Sequence, residues 1–268
     1  MPTQKFTQQD VDQLSTWFQR RYEAQFAWSR LCSIYQALPG LRGFWPMSAV
    51  AYTNPIGLDQ SGNANHLTNQ NSSDFGYTGL VPHVSFDGIN QYLSKADGGA
   101  ANWADITGTE AYIEAADRGL TIYTWAYFTN AAGAQERIVE KNDAAGGAYG
   151  VLRLAAGNIR FRVDGGGGFI NVDSVATPTA GSWYFLAGRY IPSTSLDIFV
   201  NSLVPDNTNL VGIPAAIQDV TAPFTVGASG VPGTYMTGKQ SAVALCAVQH
   251  TDVLIGSVFS QTQAMFGV

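Results

Sequence analysis

The chain has 268 residues and a formal net charge of −6, and charged residues make up 13% of it. The negative charge argues against a nucleic-acid partner, because such partners usually attract a basic face. Hydrophobic residues reach 46%, yet no apolar run attains the roughly 20 residues of a membrane span, so no membrane partner is expected. The 29 glycines, with Asn, Thr and Ser between apolar runs, favour short strands joined by tight turns over a helical bundle.

The first predicted element is a helix over residues 7–38. Thr7 can cap it, apolar residues recur at spacings near 3.6, and Pro39-Gly40 ends it. The polar segment before it lacks the apolar stretch of a secretory signal peptide, so we expect a soluble protein that is not exported by that route.

This helix could pack on its own domain, or it could be an arm that docks onto a partner or onto sister subunits. Its aromatic residues and arginines suit the core and rim of an interface. The candidate docking residues are Trp17, Phe18, Arg21, Tyr22, Phe26 and Trp28.

After Gly43 the sequence changes to strand-length runs that are apolar or alternate in polarity. The clearest runs cover residues 119–129, 150–166, 182–191, 196–201 and 242–250, with turn clusters between them. This pattern predicts an antiparallel sandwich of two sheets. The sequence does not alternate strands with helices, which argues against a doubly wound fold or an α/β barrel.

Short motifs along this region resemble those of one family. They are LDQSGNANH at 58–66, SFDGINQYL at 85–93, SWYFLAGRY at 182–190 and LDIFVNSLV at 196–204. Together they resemble the laminin-G-like, concanavalin A-like jelly-roll family over residues 43–268. The resemblance implies an all-β, antiparallel two-sheet jelly-roll sandwich, with residues 1–42 as an N-terminal helical arm. Phe86 is then expected in the core, and Asp87-Gly88 in a turn that needs a positive φ.

Enzymes that share this fold can carry paired carboxylates in the pattern E-x-D-x-x-E, which is absent here. Glu136 and Glu140 are four residues apart, so on a regular strand they would lie on one side about 13 Å apart, too far for a glycosidase pair. We therefore expect exposed carboxylates at these positions, no catalytic residues and a non-enzymatic protein.

A candidate calcium site lies in the turn that contains Asp59, Asn63 and Asn65, whose side chains offer hard oxygen ligands. The alternative is that these side chains hydrogen-bond the backbone of their own turn. The family's late Asp-Glu pair is replaced in this chain, within residues 238–254, which argues against calcium. No other cofactor is expected.

The resemblance leads to three hypotheses about function. Domains of this type without signal peptides resemble proteins of bacteriophage virions, so the first is a capsid decoration or fibre protein on the virion surface. Its arm would hold a capsid or other virion protein, or form a homo-oligomer. The second is a carbohydrate-binding lectin, and the third is a glycoside hydrolase. The candidate glycan-binding residues, all in turn-rich segments, are Asn71, Asp74, Tyr77, Trp103 and Tyr235.

Overall fold

The computed structural model describes residues 8–47, 57–79, 81–97, 119–144, 146–230 and 234–268. Within these ranges the chain forms a sandwich of two antiparallel sheets, with one helix before the strands and one after them. This architecture confirms the predicted jelly-roll sandwich. Neither of these two helices combines the length and the apolar composition that crossing a membrane requires.

The elements follow one another along the chain in a simple order. They are α1 (Gln8–Gln36), β1 (Leu41–Trp45), β2 (Thr68–Gln70), β3 (Asp74–Thr78), β4 (Val81–Asp87), β5 (Tyr92–Lys95), β6 (Leu120–Phe128), β7 (Glu136–Asp143), β8 (Gly146–Arg153), β9 (Ile159–Asp164), β10 (Phe169–Asp173), β11 (Trp183–Ile191), β12 (Ser195–Val200), β13 (Asn207–Asn209), β14 (Phe224–Val226), β15 (Thr237–Cys246) and α2 (Asp252–Phe266).

The strands pair into two sheets, which we call sheet 1 and sheet 2. The strand order in sheet 1 is β13-β12-β11-β6-β15-β4-β3, and β1 also pairs with β15. Strand β15 changes partner along its length, because its first residues pair with β4 and its last residues pair with β1. The order in sheet 2 is β10-β9-β8-β7-β14-β5-β2.

The main core fills the space between the two sheets, and strand alternation explains how it forms. In β9 the apolar residues Ile159, Phe161 and Val163 point into this core, so Arg160 and Arg162 point to the outer face of sheet 2. Phe86 also belongs to the core and is 4% exposed, as predicted.

A second core lies between the outer face of sheet 1 and the two helices. Trp125 of β6 stacks on Phe266 of α2, with ring centroids 4.0 Å apart. Tyr35 of α1 stacks on Phe44 of β1 at 4.8 Å. The C-terminal part of α1 is therefore packed on its own domain, which was one of the two alternatives for this helix.

Local signals set the helix ends. Helix α1 ends at Gln36, near the predicted residue 38, and Gly40 adopts a φ of +63° just beyond it. Helix α2 was not predicted. Thr251 caps its first turn by accepting a hydrogen bond from the backbone N–H of Leu254, and Gly267 closes it with a φ of +73°.

Candidate functional site

Three segments meet at one end of the sandwich: the β2–β3 turn, the β4–β5 turn and the residues just before β15. The Nδ2 of Asn71 donates to the carbonyl of Asn90 at 2.8 Å. Gln91 donates from Nε2 to the carbonyl of Ser72 at 3.2 Å, which ties the first two turns together. We call this region the tyrosine end, after the two residues described next.

An aromatic pair marks the tyrosine end. The rings of Tyr92 and Tyr235 lie 6.1 Å apart between centroids and are tilted by 44°. Both side chains are partly exposed, and the neighbouring Ile89 is 71% exposed. Two tyrosine rings next to side-chain amides offer flat apolar surface together with hydrogen-bonding groups, which is the composition of many small-ligand sites.

Local hydrogen bonds hold the β4–β5 turn, which directly precedes Tyr92. The Oδ1 of Asp87 accepts hydrogen bonds from the backbone N–H groups of Ile89, Asn90 and Gln91 at 2.9, 3.2 and 3.3 Å. Gly88 has a φ of +76°, and a Cβ there would lie 2.0 Å from the Oγ1 of Thr237. The predicted Asp-Gly turn is confirmed, and glycine is required in it for both reasons.

The β2–β3 turn holds two residues in an uncommon conformation. Asn71 and Ser72 have φ values of +57° and +59°, in the left-handed region that non-glycine residues seldom adopt. Such conformations cost free energy and are frequent at ligand sites. In this turn the Asn71 amide donates to the carbonyl of Asn90 in the β4–β5 turn.

The structure brings part of the predicted glycan-binding set together. Tyr235 lies beside Tyr92, and Asn71 follows Gln70, the strand partner of Tyr92. Asp74 is exposed at the start of β3, close to the same turn. Tyr77 is 46% exposed but pairs with Pro82 near the opposite end of β3, and Trp103 lies outside the described residues.

Sequence reasoning missed two members of the tyrosine end, Asn90 and Tyr92. The sequence motif FDGINQY predicts a core phenylalanine followed by a turn, and in the structure Tyr92 begins β5 directly after that turn. The available signal was an aromatic residue directly after a turn rich in amides, since strand ends beside such turns are common ligand positions.

In the turn that contains the candidate calcium ligands, the side chains form hydrogen bonds with the protein itself. The carboxylate of Asp59 accepts hydrogen bonds from the backbone N–H groups of Phe44, Ser61 and Asn65 at 2.8–2.9 Å and from the Ser61 hydroxyl at 2.8 Å. The Nδ2 of Asn63 donates to the carbonyl of Leu41 at 3.1 Å.

The third candidate ligand of this turn, Asn65, accepts a hydrogen bond from Lys95 Nζ at 2.9 Å. Among the described residues, no three His, Cys, Asp or Glu side chains are grouped so that they could hold a metal ion. The calcium site remains a prediction, and these contacts favour the alternative in which the side chains hold their own turn.

The expectation of two exposed carboxylates on β7 was wrong. Glu136 is 3% exposed and Glu140 is 0% exposed. The pairing of β7 with β8 shifts between Arg137 and Val139, and this bulge puts the two carboxylates on opposite faces of sheet 2. Glu136 is aligned with Ile159 on the core face, whereas Glu140 is aligned with Arg162 on the outer face.

Each of these glutamates forms an ion pair with arginine. Glu136 Oε2 lies 2.9 Å from Arg153 Nε, and burial raises the pKa of Glu136, an effect that Arg153 opposes. Glu140 Oε1 accepts from Arg137 Nη1 at 3.1 Å and also pairs with Arg162 Nη2. Two carboxylates on opposite sides of a sheet cannot flank one glycosidic bond, so these residues do not form a glycosidase pair.

Sequence reasoning also missed an aromatic groove beside the C-terminal end of α2. Its volume is about 350 Å³. Its aromatic lining consists of Tyr127, Trp183, Tyr184 and Phe266. Trp183 is 6% exposed, so most of its ring surface is already buried within the protein.

The predicted docking residues divide along α1. Tyr22 is 73% exposed and Phe26 is 62% exposed, whereas Trp28 is partly buried against the second core. The side chains of Trp17, Phe18 and Arg21 lie outside what the structure describes.

Comparisons with known proteins agree with this fold. The family model Laminin_G_3, described as the concanavalin A-like lectin/glucanases superfamily, matches residues 87–248. The chain belongs to this superfamily. The match includes the turn at Asp87 and most of both sheets, and it confirms the predicted family. No curated protein sequence matches the chain.

Solved structures with the same fold include binding domains and parts of enzymes. The binding domain of Paraclostridial Mosquitocidal Protein 1 matches with a TM-score of 0.64 and 11% identity, over 82% of this chain and 52% of that one. Domain 4 of AbnA, a GH43 extracellular arabinanase from Geobacillus stearothermophilus in complex with arabinotriose, matches with a TM-score of 0.60 and 11% identity. The match covers 81% of this chain and 97% of that one. Trypanosoma rangeli sialidase matches with a TM-score of 0.56 and 12% identity, over 91% of this chain and 39% of that one.

The lengths covered differ among these structures. The chain spans about half of the mosquitocidal binding domain, about two fifths of the sialidase and nearly all of the arabinanase domain. Identities this low show a shared fold, and function has to be argued from the site.

Proposed function

We propose that the protein is a non-catalytic, lectin-like module that binds a glycan at the tyrosine end of the sandwich. The observation that carries the proposal is the partly exposed Tyr92–Tyr235 pair, at the end of the sandwich where the amides of Asn71 and Gln91 bridge two turns by donating to the carbonyls of Asn90 and Ser72. Aromatic rings stack on the apolar faces of sugars, and amides bind sugar hydroxyls with both a donor and an acceptor.

Two further observations support a binding role over hydrolysis. Glu136 and Glu140 are each paired with arginine and lie on opposite faces of sheet 2. The fold is also that of a toxin binding domain and of an arabinanase domain solved with arabinotriose.

The experiment is a glycan array probed with the full-length protein, with and without calcium. We expect binding that does not require calcium and that weakens more than about tenfold in Tyr235→Ala, because truncating an aromatic anchor removes a dominant contact. The matched control is Tyr77→Ala, which makes the same change at an exposed tyrosine distant from the tyrosine end. Equal binding by the wild type and Tyr235→Ala would overturn the proposal.

A second candidate is a structural role on a virion surface, in which α1 attaches the sandwich to a capsid protein or to sister subunits. The observation that favours it is the exposure of Tyr22 and Phe26, two large side chains on the part of α1 before the buried segment. Exposed aromatic residues of this kind are frequent at protein interfaces.

The test of this second role uses the double variant Tyr22→Ala/Phe26→Ala. We expect it to keep the folded sandwich and to lose self-association, measured by sedimentation, or incorporation into particles. Deleting residues 1–42 is a poor test, because it removes Tyr35 and Leu38 from the second core and Leu41 from β1. Unchanged assembly by the double variant would contradict the arm model.

A further inference from the structure

The outer face of sheet 2 carries a cluster of arginines, which we call the arginine face. It consists of Arg137, Arg160 and Arg162 together with the carboxylates of Glu140 and Asp173. Strand register places them side by side: Asp173 opposite Arg160 on β10 and β9, and Glu140 in line with Arg162 across Gly150. A third carboxylate, Asp164, lies on the same side of β9, and its Oδ1 accepts hydrogen bonds from the backbone N–H groups of Gly166 and Gly168.

A glycine, Gly150, occupies the centre of the arginine face. Gly150 lies between Glu140 and Arg162, and a Cβ at this position would lie 3.0 Å from the Oε1 of Glu140. The glycine lets the carboxylate reach across the neighbouring strand. The guanidinium of Arg162 lies 3.7 Å above the ring of Phe169, which holds its plane in place.

Several hydrogen-bonding groups of the arginine face are not used by the ion pairs. Arg160 forms a two-pronged contact with Asp173, from Nε at 2.6 Å and Nη2 at 2.8 Å. Among the described residues, the buried Nε atoms of Arg137 and Arg162 and the Oε2 of Glu140 have no hydrogen-bond partner. Folded proteins rarely leave buried polar atoms unpaired, so such atoms need an explanation.

A purely structural ion-pair network explains this cluster less well than a ligand site does. Burial lowers the pKa of Arg137, Glu140 opposes this shift, and the nearby charges of Arg162 and Arg160 add to it. The face is also open at one side, because the side chain of Arg160 is 29% exposed and that of Asp173 is 39% exposed. An anion that entered from this side would meet Arg160 first.

We propose that the arginine face binds the carboxylate of an acidic sugar, such as a uronic acid residue of a polysaccharide. The planar fork of a guanidinium matches a carboxylate with two parallel hydrogen bonds, and partial burial strengthens them. Asp173 occupies this fork in the free protein and is displaced or shared when the ligand arrives. The inference rests on the proposed glycan-binding function, but its site is separate from the tyrosine end.

The test is isothermal titration calorimetry of the full chain with trigalacturonate and with its fully methyl-esterified form, which has the same sugar backbone without the charge. We expect trigalacturonate to bind more tightly than the ester, and Arg160→Gln to weaken its binding about tenfold, as expected for one charge-assisted contact. Asp173→Asn should tighten binding, because it removes the competing carboxylate. The matched control is Lys239→Gln, which removes one positive charge from sheet 1 and should leave binding unchanged.

Several results would overturn the inference. They are no binding of trigalacturonate, equal binding of acid and ester, weaker binding in Asp173→Asn, or equal losses in Lys239→Gln and Arg160→Gln. Binding of a sulfated disaccharide without binding of trigalacturonate would also overturn the assignment to a carboxylate. If neutral glycans bind and depend on Tyr235 while trigalacturonate does not bind, this inference fails and the proposed function stands. If trigalacturonate binding depends on Arg160 while no glycan on the array shows binding that depends on Tyr235, this inference stands and the proposed site at the tyrosine end fails.

Discussion

The outer face of sheet 1 carries aromatic side chains, whereas the outer face of sheet 2 carries arginines and carboxylates. Trp125 and Phe185 on the outer face of sheet 1 pack against each other and against Phe259 of α2. On sheet 2, Arg160 pairs with Asp173 in a position that water and ligands can reach. Both faces arise from the same strand alternation, and only the residue types differ.

This difference indicates which side of the molecule serves stability and which side serves binding. The apolar residues on the outer face of sheet 1 are covered by the two helices. Removing this apolar surface from water stabilises the folded state. Arg160 and Asp173 on the outer face of sheet 2 keep part of their hydration, because their side chains are 29% and 39% exposed. Substitutions on sheet 1 should therefore cost more stability than substitutions on the exposed part of sheet 2.

The largest expected effect is at Trp125, the fully buried centre of the helix-covered face. Trp125→Ala removes a ring that stacks on Phe266 at 4.0 Å, and we expect the free energy of unfolding to fall by about 4 kcal/mol. Urea denaturation measures this loss. The matched change on sheet 2, Arg160→Gln, should cost less than about 1 kcal/mol, and equal losses would contradict the comparison.

The next largest effect is at Glu140, the buried part of the arginine face. Glu140→Ala leaves Arg137 and Arg162 without their shared carboxylate, and we expect a loss of about 3 kcal/mol. A double-mutant cycle with Arg162→Leu measures the coupling between the two residues. Additive losses would mean that the pair contributes nothing beyond its separate side chains.

A smaller, pH-dependent effect is expected at His250, which joins α1 to sheet 1. Its Nδ1 lies 2.6 Å from the hydroxyl of Tyr123, and its Nε2 donates to the carbonyl of Pro39 at 3.0 Å. Burial lowers the pKa of His250, so the folded state prefers the neutral ring. Arg189, which donates to the His250 carbonyl at 2.9 Å, is itself paired with the carboxylates of Asp197 and Asp252.

The sign of this pH effect follows from proton linkage. The unfolded chain binds a proton at His250 near its ordinary pKa of about 6.5, whereas the folded chain binds it only at lower pH. The contribution of His250 to stability is therefore fully present above its ordinary pKa of about 6.5. It is lost as the pH falls below that value and through the lower pKa of the folded state. Denaturation at pH 7.5 and pH 5 should show a larger loss in the wild type than in His250→Asn, and equal pH slopes would show that another group is responsible.

The smallest effect on stability is expected at the exposed side chains of α1. Tyr22→Ala/Phe26→Ala should change the free energy of unfolding by less than about 0.5 kcal/mol, since both rings are mostly in water. Thermal unfolding measures this change. A loss as large as that of Trp125→Ala would mean that Tyr22 and Phe26 are buried against another part of the protein.

Local patterns predicted most of the fold. The alternation in Ile159–Asp164, the Asp87-Gly88 turn and the periodicity of α1 all depend on residues close in sequence. Helix α2 was missed because its start signals, Thr251 and Asp252, follow a long apolar strand without a glycine or proline break.

Contacts between distant residues could not be predicted from the sequence. Glu140 was expected to be exposed, but its partner Arg162 lies 22 residues away on another strand. Tyr92 and Tyr235 come together because β15 returns beside β4, and Tyr77 is separated from them by the length of β3. The arginine face and the tyrosine end therefore became visible only once the strand register was known.

The most direct test of the central claim combines equilibrium binding with product analysis. A glycan identified on the array is titrated into the wild type and into Tyr235→Ala, and the glycan is then examined by mass spectrometry. A non-catalytic lectin-like module predicts saturable binding by the wild type, weak binding by Tyr235→Ala and a glycan of unchanged mass. A shortened glycan, or equal binding by both proteins, would contradict it.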